Sequence, residues 1–239
     1  MKPALGVYFY TGTTQTGKTK RALVDARAIA DALGWPVLIV DSQGVWNFAS
    51  YPHAKSVEEL VRRVWAVDDR GRPREPAIAF TPETPDEVEL IFKAARAGRR
   101  VVLVCDEARY WLSARRMPDE LSRALRTWAH SELVLLFTTQ RLADIHGDAL
   151  ACHREIYVFR TVGRPDLETL WDEFEVKRED AEALAENEFG VIRWNKVVAW
   201  PRRKVPKGGS SGESGDRPSP RVAPDPEADA PPARVGPAE

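Results

Sequence analysis

The amino-acid sequence predicts an α/β fold in which helices flank a largely parallel central sheet. Short apolar runs rich in β-branched and aromatic residues alternate with amphipathic segments along residues 5–160. The runs at residues 101–105 and 133–137 contain no polar side chain except a cysteine, as expected for strands that are covered on both faces. Strands that alternate with helices pair in parallel, because each helix returns the chain to the same end of the sheet.

Local signals place the individual elements in order along the chain. Strands are predicted at residues 5–10, 36–41, 77–81, 101–105, 133–138 and 155–160. The first helix places Ala22, Ala26, Ile29 and Leu33 on one face. The second helix begins after Ser56, which has Glu59 in the capping-box position. A third helix has Pro85 at its first position and ends at Gly98, and a fourth covers residues 118–129.

Length and composition predict one folded domain and a tail. The chain has 239 residues, 43 % of them hydrophobic, which is enough for one α/β domain with a full core. This domain is predicted to cover residues 1–200 and to end in a β-hairpin at residues 189–200, with its turn at Asn195 and Lys196. Residues 201–239 are first basic and then rich in Gly, Pro and acidic residues, which predicts a disordered tail. The tail is either a tether or docking peptide or a solvated segment with no fixed role.

Charge, cysteine use and hydropathy narrow the class of protein. The formal net charge of −1 gives no global basic field for nucleic acid, although such contacts can be confined to a channel. Cys105 and Cys152 form no C-x-x-C pair, and no histidine has zinc-ligand spacing near them, so the sequence suits a reducing cytoplasm. No apolar run reaches the roughly 18 residues of a membrane span, and no signal-peptide pattern is present, which predicts a soluble protein.

A glycine-flanked loop after the first strand is the strongest functional signal. It fits G-x-x-x-x-G-K-[ST] without a mismatch, and its residues are Gly12, Thr13, Thr14, Gln15, Thr16, Gly17, Lys18 and Thr19. Strand, loop and helix in this order turn backbone N–H groups and a helix N-terminus toward one anion. The two glycines leave room for phosphate, Lys18 reaches the β- and γ-phosphates, and the Thr19 hydroxyl ligates Mg²⁺. The loop predicts a site for ATP and Mg²⁺ in a P-loop NTPase fold of the RecA/ASCE-like type.

Two acids follow the apolar strand at residues 101–105. In a P-loop site, an aspartate at the carboxyl end of a strand holds the Mg²⁺ shell, which assigns Asp106 to the metal beside Thr19. The adjacent Glu107 is placed to polarise the attacking water as the catalytic base. Taken alone, the same two acids would also suit a strand that gives way to a helix cap.

A third polar group, Gln140, follows the strand at residues 133–138. Polar groups at the carboxyl ends of neighbouring strands lie where open α/β sheets bind their ligands. Gln140 is therefore predicted to hydrogen-bond the γ-phosphate or the attacking water. The structural alternative is an N-cap for the segment at residues 142–151, which Thr139 could also supply.

The three motifs occur in one order: the loop at residues 12–19, then Asp106-Glu107, then a strand that ends in Thr-Gln-Arg. With these motifs, residues 4–200 resemble the FtsK/HerA superfamily of DNA-pumping ATPases. The compact core is most similar to the genome-packaging ATPases of membrane-containing icosahedral dsDNA viruses. The resemblance implies ATP hydrolysis coupled to translocation of double-stranded DNA into a preformed capsid.

The same resemblance implies partners and a further catalytic residue. It implies a homo-oligomeric ring, expected to be a hexamer, with DNA in its channel and with capsid-vertex or viral membrane proteins as further partners. It also implies a location in the host cytoplasm or at the packaging vertex of the virion. Members usually carry an arginine just ahead of the strand that ends in the Gln, but residues 128–131 contain none. The candidates for an arginine finger acting in trans are Arg126 first, then Arg123, and then Arg141, Arg154 and Arg160. The alternative is that Arg126 and Arg123 are ordinary solvated or salt-bridged arginines of their helix.

Contacts with DNA and competing functions stay open at this stage. Residues 115–118 and the turn with Arg70, Arg72 and Arg74 are basic enough to contact DNA phosphates or to form ordinary solvated surface. The loop at residues 41–46 either lines the nucleotide cleft or packs in the core. The competing functions are a HerA-like cellular DNA-processing or transfer ATPase, a Zot-like phage assembly ATPase, and a P-loop small-molecule kinase.

Overall fold

The computed structural model describes residues 5–44, 48–113, 115–193 and 196–201. The strands are β1 (Gly6–Thr11), β2 (Val37–Asp41), β3 (Ala77–Phe80), β4 (Val101–Asp106), β5 (Leu133–Thr139), β6 (Glu155–Val158), β7 (Gly190–Arg193) and β8 (Lys196–Ala199). The helices are α1 (Lys18–Leu33), α2 (Val57–Val64), α3 (Pro85–Gly98), α4 (Asp119–Thr127), α5 (Gly147–Ala151), α6 (Arg164–Phe174) and α7 (Arg178–Glu182). Short 3₁₀ turns cover Ala108–Tyr110 and Leu142–Asp144.

The strands form one sheet in the order β3-β2-β4-β5-β1-β6-β7-β8. Every pair from β3 to β6 is parallel. The pairs β6–β7 and β7–β8 are antiparallel, and β7 and β8 form the terminal hairpin. The predicted α/β fold, with a largely parallel sheet flanked by helices and a terminal hairpin, is confirmed. Because β1 to β6 run in the same direction, their carboxyl ends share one edge of the sheet, where ligands bind in open α/β folds.

Both faces of the sheet are buried, so polar side chains of the parallel strands are found mainly at their ends. Val7 and Phe9 of β1 point into the core shared with α2, α3, α4 and α6. Tyr8 and Tyr10 point to the other face, into the core shared with α1. Successive residues of a strand face opposite sides of the sheet, so a strand such as β1, which is covered on both faces, has apolar residues at consecutive positions. The core thus fixes β1 between β5 and β6 and holds the loop after β1 at the carboxyl edge.

The helix starts follow the predicted capping chemistry. The Ser56 hydroxyl accepts a hydrogen bond from the backbone N–H of Glu59 at 3.2 Å. At the start of α3, Thr84 and Glu87 form a complete capping box, with Pro85 in the first turn. Each cap satisfies a backbone N–H that lacks a partner within its helix. Both predicted helix starts are therefore confirmed.

The structure departs from the predicted elements in its last third. The sequence signals predict no element in residues 161–188, but the structure has α6 and α7 there. The segment at residues 142–151 is divided into a 3₁₀ turn and the short helix α5 rather than one helix. Lys196 is the first residue of β8 instead of part of the turn, while Asn195 lies outside the described residues.

Two further expectations concern the chain ends and membranes. The predicted tail falls almost entirely on residues 202–239, which lie outside the described residues, so its disorder stays a prediction. Among the helices in the described part of the chain, none combines the length and the apolar character needed to cross a bilayer.

Candidate functional site

A cleft of about 460 Å³ opens at the carboxyl edge of the sheet, beside the ends of β1, β4 and β5. Its walls are formed by Thr14, Gln15, Thr16, Gly17, Lys18, Thr19, Lys20, Gln43, Asp106, Glu107, Gln140, Glu186 and Asn187. The structure thus brings three separate sequence motifs into one cavity. It also adds a wall at residues 186–187 that the sequence motifs did not indicate.

The loop between β1 and α1 is held by the backbone on both sides. The N–H of Thr13 donates to the carbonyl of Arg160 at 2.8 Å, and the N–H of Asn187 donates to the carbonyl of Thr16 at 3.3 Å. Gly17 has φ +95°, and a Cβ there would lie 2.5 Å from Asn187 Oδ1. Glycine is therefore required at position 17 by the backbone conformation and by a packed neighbour, as well as by access for a phosphate.

Lys18 is buried at the centre of this loop. Its Nζ donates to the carbonyl of Thr13 at 2.7 Å. Burial lowers the pKa of Lys18, and the nearby carboxylates of Glu107 and Asp106 oppose that shift by favouring the ammonium form. A buried cation at the N-terminus of α1 adds to the positive end of the helix dipole, and both favour an anion in the cleft.

Asp106, at the end of β4, is held by two hydroxyl groups from neighbouring elements. The hydroxyls of Thr19 and Thr138 both donate to Asp106 Oδ1, at 2.9 Å and 2.6 Å. The Thr138 hydroxyl also accepts the backbone N–H of Glu107 at 3.0 Å. Thr138 is fully buried, so it fixes both acids from below the cleft. Its role was missed from the sequence, where the threonine was included only as part of a strand.

Thr19 and Asp106 fit the requirements of a Mg²⁺ site. Their oxygens meet at 2.9 Å, and a hydroxyl with a single carboxylate is the kind of hard-oxygen set that holds Mg²⁺ together with substrate phosphates and water. In the described residues, no group of three or more His, Cys, Asp and Glu side chains could hold a metal ion. A Mg²⁺ ion held by one hydroxyl and one carboxylate would complete its octahedral shell with water and phosphate oxygens.

Glu107 directly follows β4 and is joined to the third motif. It has φ +47°, a left-handed conformation uncommon for a residue with a side chain. Its Oε1 accepts Gln140 Nε2 at 2.7 Å, and Gln140 Oε1 accepts the Thr14 hydroxyl at 3.0 Å. Arg109 Nε lies 3.8 Å from Glu107 Oε2. The carboxylate is thus oriented over the cleft by a chain of contacts that runs back to the loop.

Gln140 does not serve as the cap that was its structural alternative. The 3₁₀ turn at Leu142–Asp144 has no side-chain cap from its N-cap residue, and the N–H of Ala143 donates to Asp166 Oδ1 at 3.0 Å. The amide of Gln140 lies between Glu107 and Thr14, where it touches both the predicted base and the loop. This geometry fits a group that would respond to a phosphate in the cleft.

Behind the acids, a second chain of hydrogen bonds supports the end of β4. The indole N–H of Trp111 donates to the Ser42 hydroxyl at 2.6 Å, and that hydroxyl donates to the Asp106 carbonyl at 2.7 Å. The loop at residues 41–46 was expected either to line the nucleotide cleft or to pack in the core, and Gln43 of this loop lines the cleft. Trp46 of the same loop lies outside the described residues.

Arg126 and Arg123 lie on α4, away from the cleft of their own chain. The helix ends near the start of β5, at the edge of the sheet opposite the cleft. Arg126 is exposed and lies 3.9 Å from Asp148, and Arg123 pairs with Glu120 at 2.7 Å. Neither side chain reaches the loop at residues 12–19 of its own chain, so an arginine finger at either position would have to act on a neighbouring subunit.

The other candidate arginines occupy three different positions. Arg141 is half exposed and lies 3.6 Å from Asp144. Arg154 is partly buried at the start of β6, beside Gly6. Arg160 is exposed at the other end of β6, and its backbone holds the nucleotide loop.

The two basic clusters lie at opposite edges of the sheet. Arg115 and Arg116 are exposed in the segment that follows β4, on the edge that carries the cleft. Arg70, Arg72 and Arg74 precede β3, and thus lie toward the other edge. Arg72 is paired with an aspartate of its own turn.

Comparison with solved structures finds the same fold in viral NTPases. The genome packaging NTPase B204 from Sulfolobus turreted icosahedral virus 2, in complex with AMPPCP, has a TM-score of 0.66 and 19% identity over 82% of this chain and 95% of that chain. Its complex with ATP-gammaS gives 0.65 and 18%, over 80% and 93%. B204 from Sulfolobus turreted icosahedral virus, described as a DNA-packaging ATPase, gives 0.63 and 18%, over 82% and 95%. No family model and no curated protein sequence matches the chain. The predicted similarity to viral genome-packaging ATPases is thereby confirmed as a similarity of fold.

Proposed function

We propose that this protein is an ATP-hydrolysing translocase that packages double-stranded viral DNA into a preformed capsid. The observation that carries the proposal is that Glu107, bonded to Gln140 Nε2 at 2.7 Å, lies in one cleft with the loop at residues 12–19 and the Thr19–Asp106 pair. A base, a phosphate loop and a metal pair in one cleft suit hydrolysis of a nucleoside triphosphate. The shared fold with viral packaging NTPases supports the packaging role.

The chain binds the triphosphate with its loop and the N-terminus of α1. Backbone N–H groups and the Lys18 ammonium neutralise the β- and γ-phosphates. Thr19 and Asp106 would hold Mg²⁺, which when bound neutralises phosphate charge. The buried Thr138 keeps Asp106 in place as the negative charge beside it changes.

Hydrolysis then depends on Glu107 and Gln140. Glu107 takes a proton from a water whose oxygen forms a bond to the γ-phosphorus. The bond from that phosphorus to the β,γ-bridging oxygen breaks, and ADP leaves with the bridging oxygen. Gln140 contacts both the base and Thr14 of the loop, so loss of the γ-phosphate changes its surroundings. An arginine from the next subunit of a homo-oligomeric ring, with Arg126 as the first candidate, would stabilise the transition-state charge.

The test is ATP hydrolysis by the full chain with and without double-stranded DNA. We expect DNA to raise the turnover number. The logarithm of the DNA association constant falls linearly with the logarithm of the salt concentration, and each phosphate contact contributes about 0.9 to this slope. An Arg115→Ala/Arg116→Ala variant should therefore make the slope shallower by about two. The matched control, Arg70→Ala/Arg72→Ala, removes the same charge at the opposite edge of the sheet and should leave the slope unchanged.

The other outcomes identify the competing functions. Turnover that DNA does not change, together with phosphate transfer to a small-molecule acceptor, would contradict the motor and favour a kinase. A packaging enzyme should also make DNA resistant to nuclease in the presence of capsids. DNA-stimulated turnover without such protection would favour a HerA-like cellular ATPase.

A further inference from the structure

The turn that follows α7 forms a cleft wall that no sequence motif explains. Glu186 and Asn187 both line the cleft. The turn is anchored by Glu188, whose N–H donates to the Ala185 carbonyl at 3.1 Å and whose carboxylate accepts the Ala185 N–H at 2.8 Å. Asn187 has φ +62°, and its N–H is bonded to the loop carbonyl of Thr16. The turn is thus built against the phosphate loop.

Sheet order fixes which end of a nucleotide this wall meets. The acids that act on the γ-phosphate follow β4, and Gln140 follows β5. Residues 186–187 lead into β7, on the other side of β1 in the sheet order. A nucleotide whose γ-phosphate lies beside Glu107 therefore extends its nucleoside across β1 toward this wall.

The chemistry of Glu186 distinguishes the sugar from the phosphates. A carboxylate is repelled by a triphosphate, but it accepts hydrogen bonds from hydroxyl groups. Both side chains are exposed, and the Asn187 amide nitrogen lies 3.5 Å from Glu186 Oε1, on the same turn. Lys20 lies in the same cleft on the first turn of α1 and supplies a cation for the phosphate end.

We infer that Glu186 accepts hydrogen bonds from the ribose hydroxyls and makes the site selective for ribonucleotides over deoxyribonucleotides. The inference rests on the proposed function, because it requires a nucleoside triphosphate in this cleft. It adds a specificity residue from a segment outside the three motifs. A DNA motor with this property would bind ATP in preference to the deoxynucleotides that surround DNA synthesis.

The test compares the dissociation constants of ATP, 2′-deoxy-ATP and 3′-deoxy-ATP for the full chain, measured by calorimetry with Mg²⁺. We expect 2′-deoxy-ATP to bind about tenfold more weakly than ATP, the size of one hydrogen bond to a charged acceptor, while 3′-deoxy-ATP reports on the second ribose hydroxyl. Glu186→Ala should bring that ratio close to one. The ratio is the readout, because removing a negative charge changes the affinity for every triphosphate alike.

The matched control is Glu179→Ala, which removes an exposed carboxylate of α7 outside the cleft and should keep the wild-type ratio. Equal binding of ATP and 2′-deoxy-ATP to the wild type, or a ratio between them that Glu186→Ala leaves unchanged, would overturn the inference while the proposed function stands. A wild-type chain that binds none of the nucleotides would overturn the proposed function as well.

Discussion

Replacing Thr138 by valine removes a hydroxyl that holds both acids of the site and leaves the side-chain shape almost unchanged. In the structure this hydroxyl donates to Asp106 Oδ1 at 2.6 Å and accepts the N–H of Glu107 at 3.0 Å. Valine leaves that buried N–H without its partner, at a cost of about 1–3 kcal/mol. The bond from Thr138 to Asp106 Oδ1 is lost too, but this oxygen keeps the bond from Thr19 and is not left without a partner. We expect Thr138→Val to lower the free energy of unfolding by about 2–3 kcal/mol.

The control is Thr138→Ser, which keeps the hydroxyl and loses one buried methyl group, at about 1 kcal/mol. Urea unfolding followed by tryptophan fluorescence measures both variants. The turnover number for ATP should fall further in the valine variant, because both acids lose their support. A valine variant as stable and as active as the serine variant would refute this reasoning, since the hydroxyl would then contribute neither stability nor positioning.

Three further changes test separate parts of the structure. Gly17→Ala should lower the free energy of unfolding by about 1–3 kcal/mol. Because the added Cβ meets Asn187 Oδ1, replacing Asn187 by glycine in that variant should recover part of the loss. Urea midpoints that show no recovery would contradict this contact. Burial lowers the pKa of His153 in the folded state below 6.5, so as the pH falls below about 6.5 the unfolded state takes up a proton before the folded state does, and the free energy of unfolding should fall. His153→Asn should lose that part of the pH dependence in urea titrations. An unchanged pH dependence would exclude His153 as its source. Arg126→Ala should lower the turnover number on the order of a thousandfold while ATP binding is kept, and a larger effect of Arg123→Ala would assign the finger to Arg123 instead.

The main elements of the fold were predictable because their signals are local. Residues 101–105 of β4 and 133–137 of β5 are apolar, a pattern typical of strands that are buried on both faces. The starts of α2 and α3 are marked by Ser56 and Thr84, whose hydroxyls accept hydrogen bonds from the backbone N–H three residues later. The helix α6 was missed although Pro165 occupies its first turn, a start signal that the sequence did offer.

The site was predictable only where its residues belong to motifs. The loop and the acid pair are each contiguous in sequence, so their spacing could indicate a shared chemistry. The roles of Thr138 and Glu186 depend on contacts between distant segments, and no local pattern encodes such contacts. Arg126 stays a prediction for the same reason, because its partner would belong to another chain.

The most direct test of the account is Glu107→Gln, which keeps the side-chain shape and removes the base. The account predicts that the variant binds ATP as the wild type does, while hydrolysis falls by about 10²–10⁴, the usual contribution of a positioned general base. Glu179→Gln, outside the cleft, serves as the control and should hydrolyse ATP normally. Binding is measured by calorimetry and hydrolysis by phosphate release. A Glu107→Gln variant that turns over ATP at close to the wild-type rate would contradict the central claim that Glu107 activates the water.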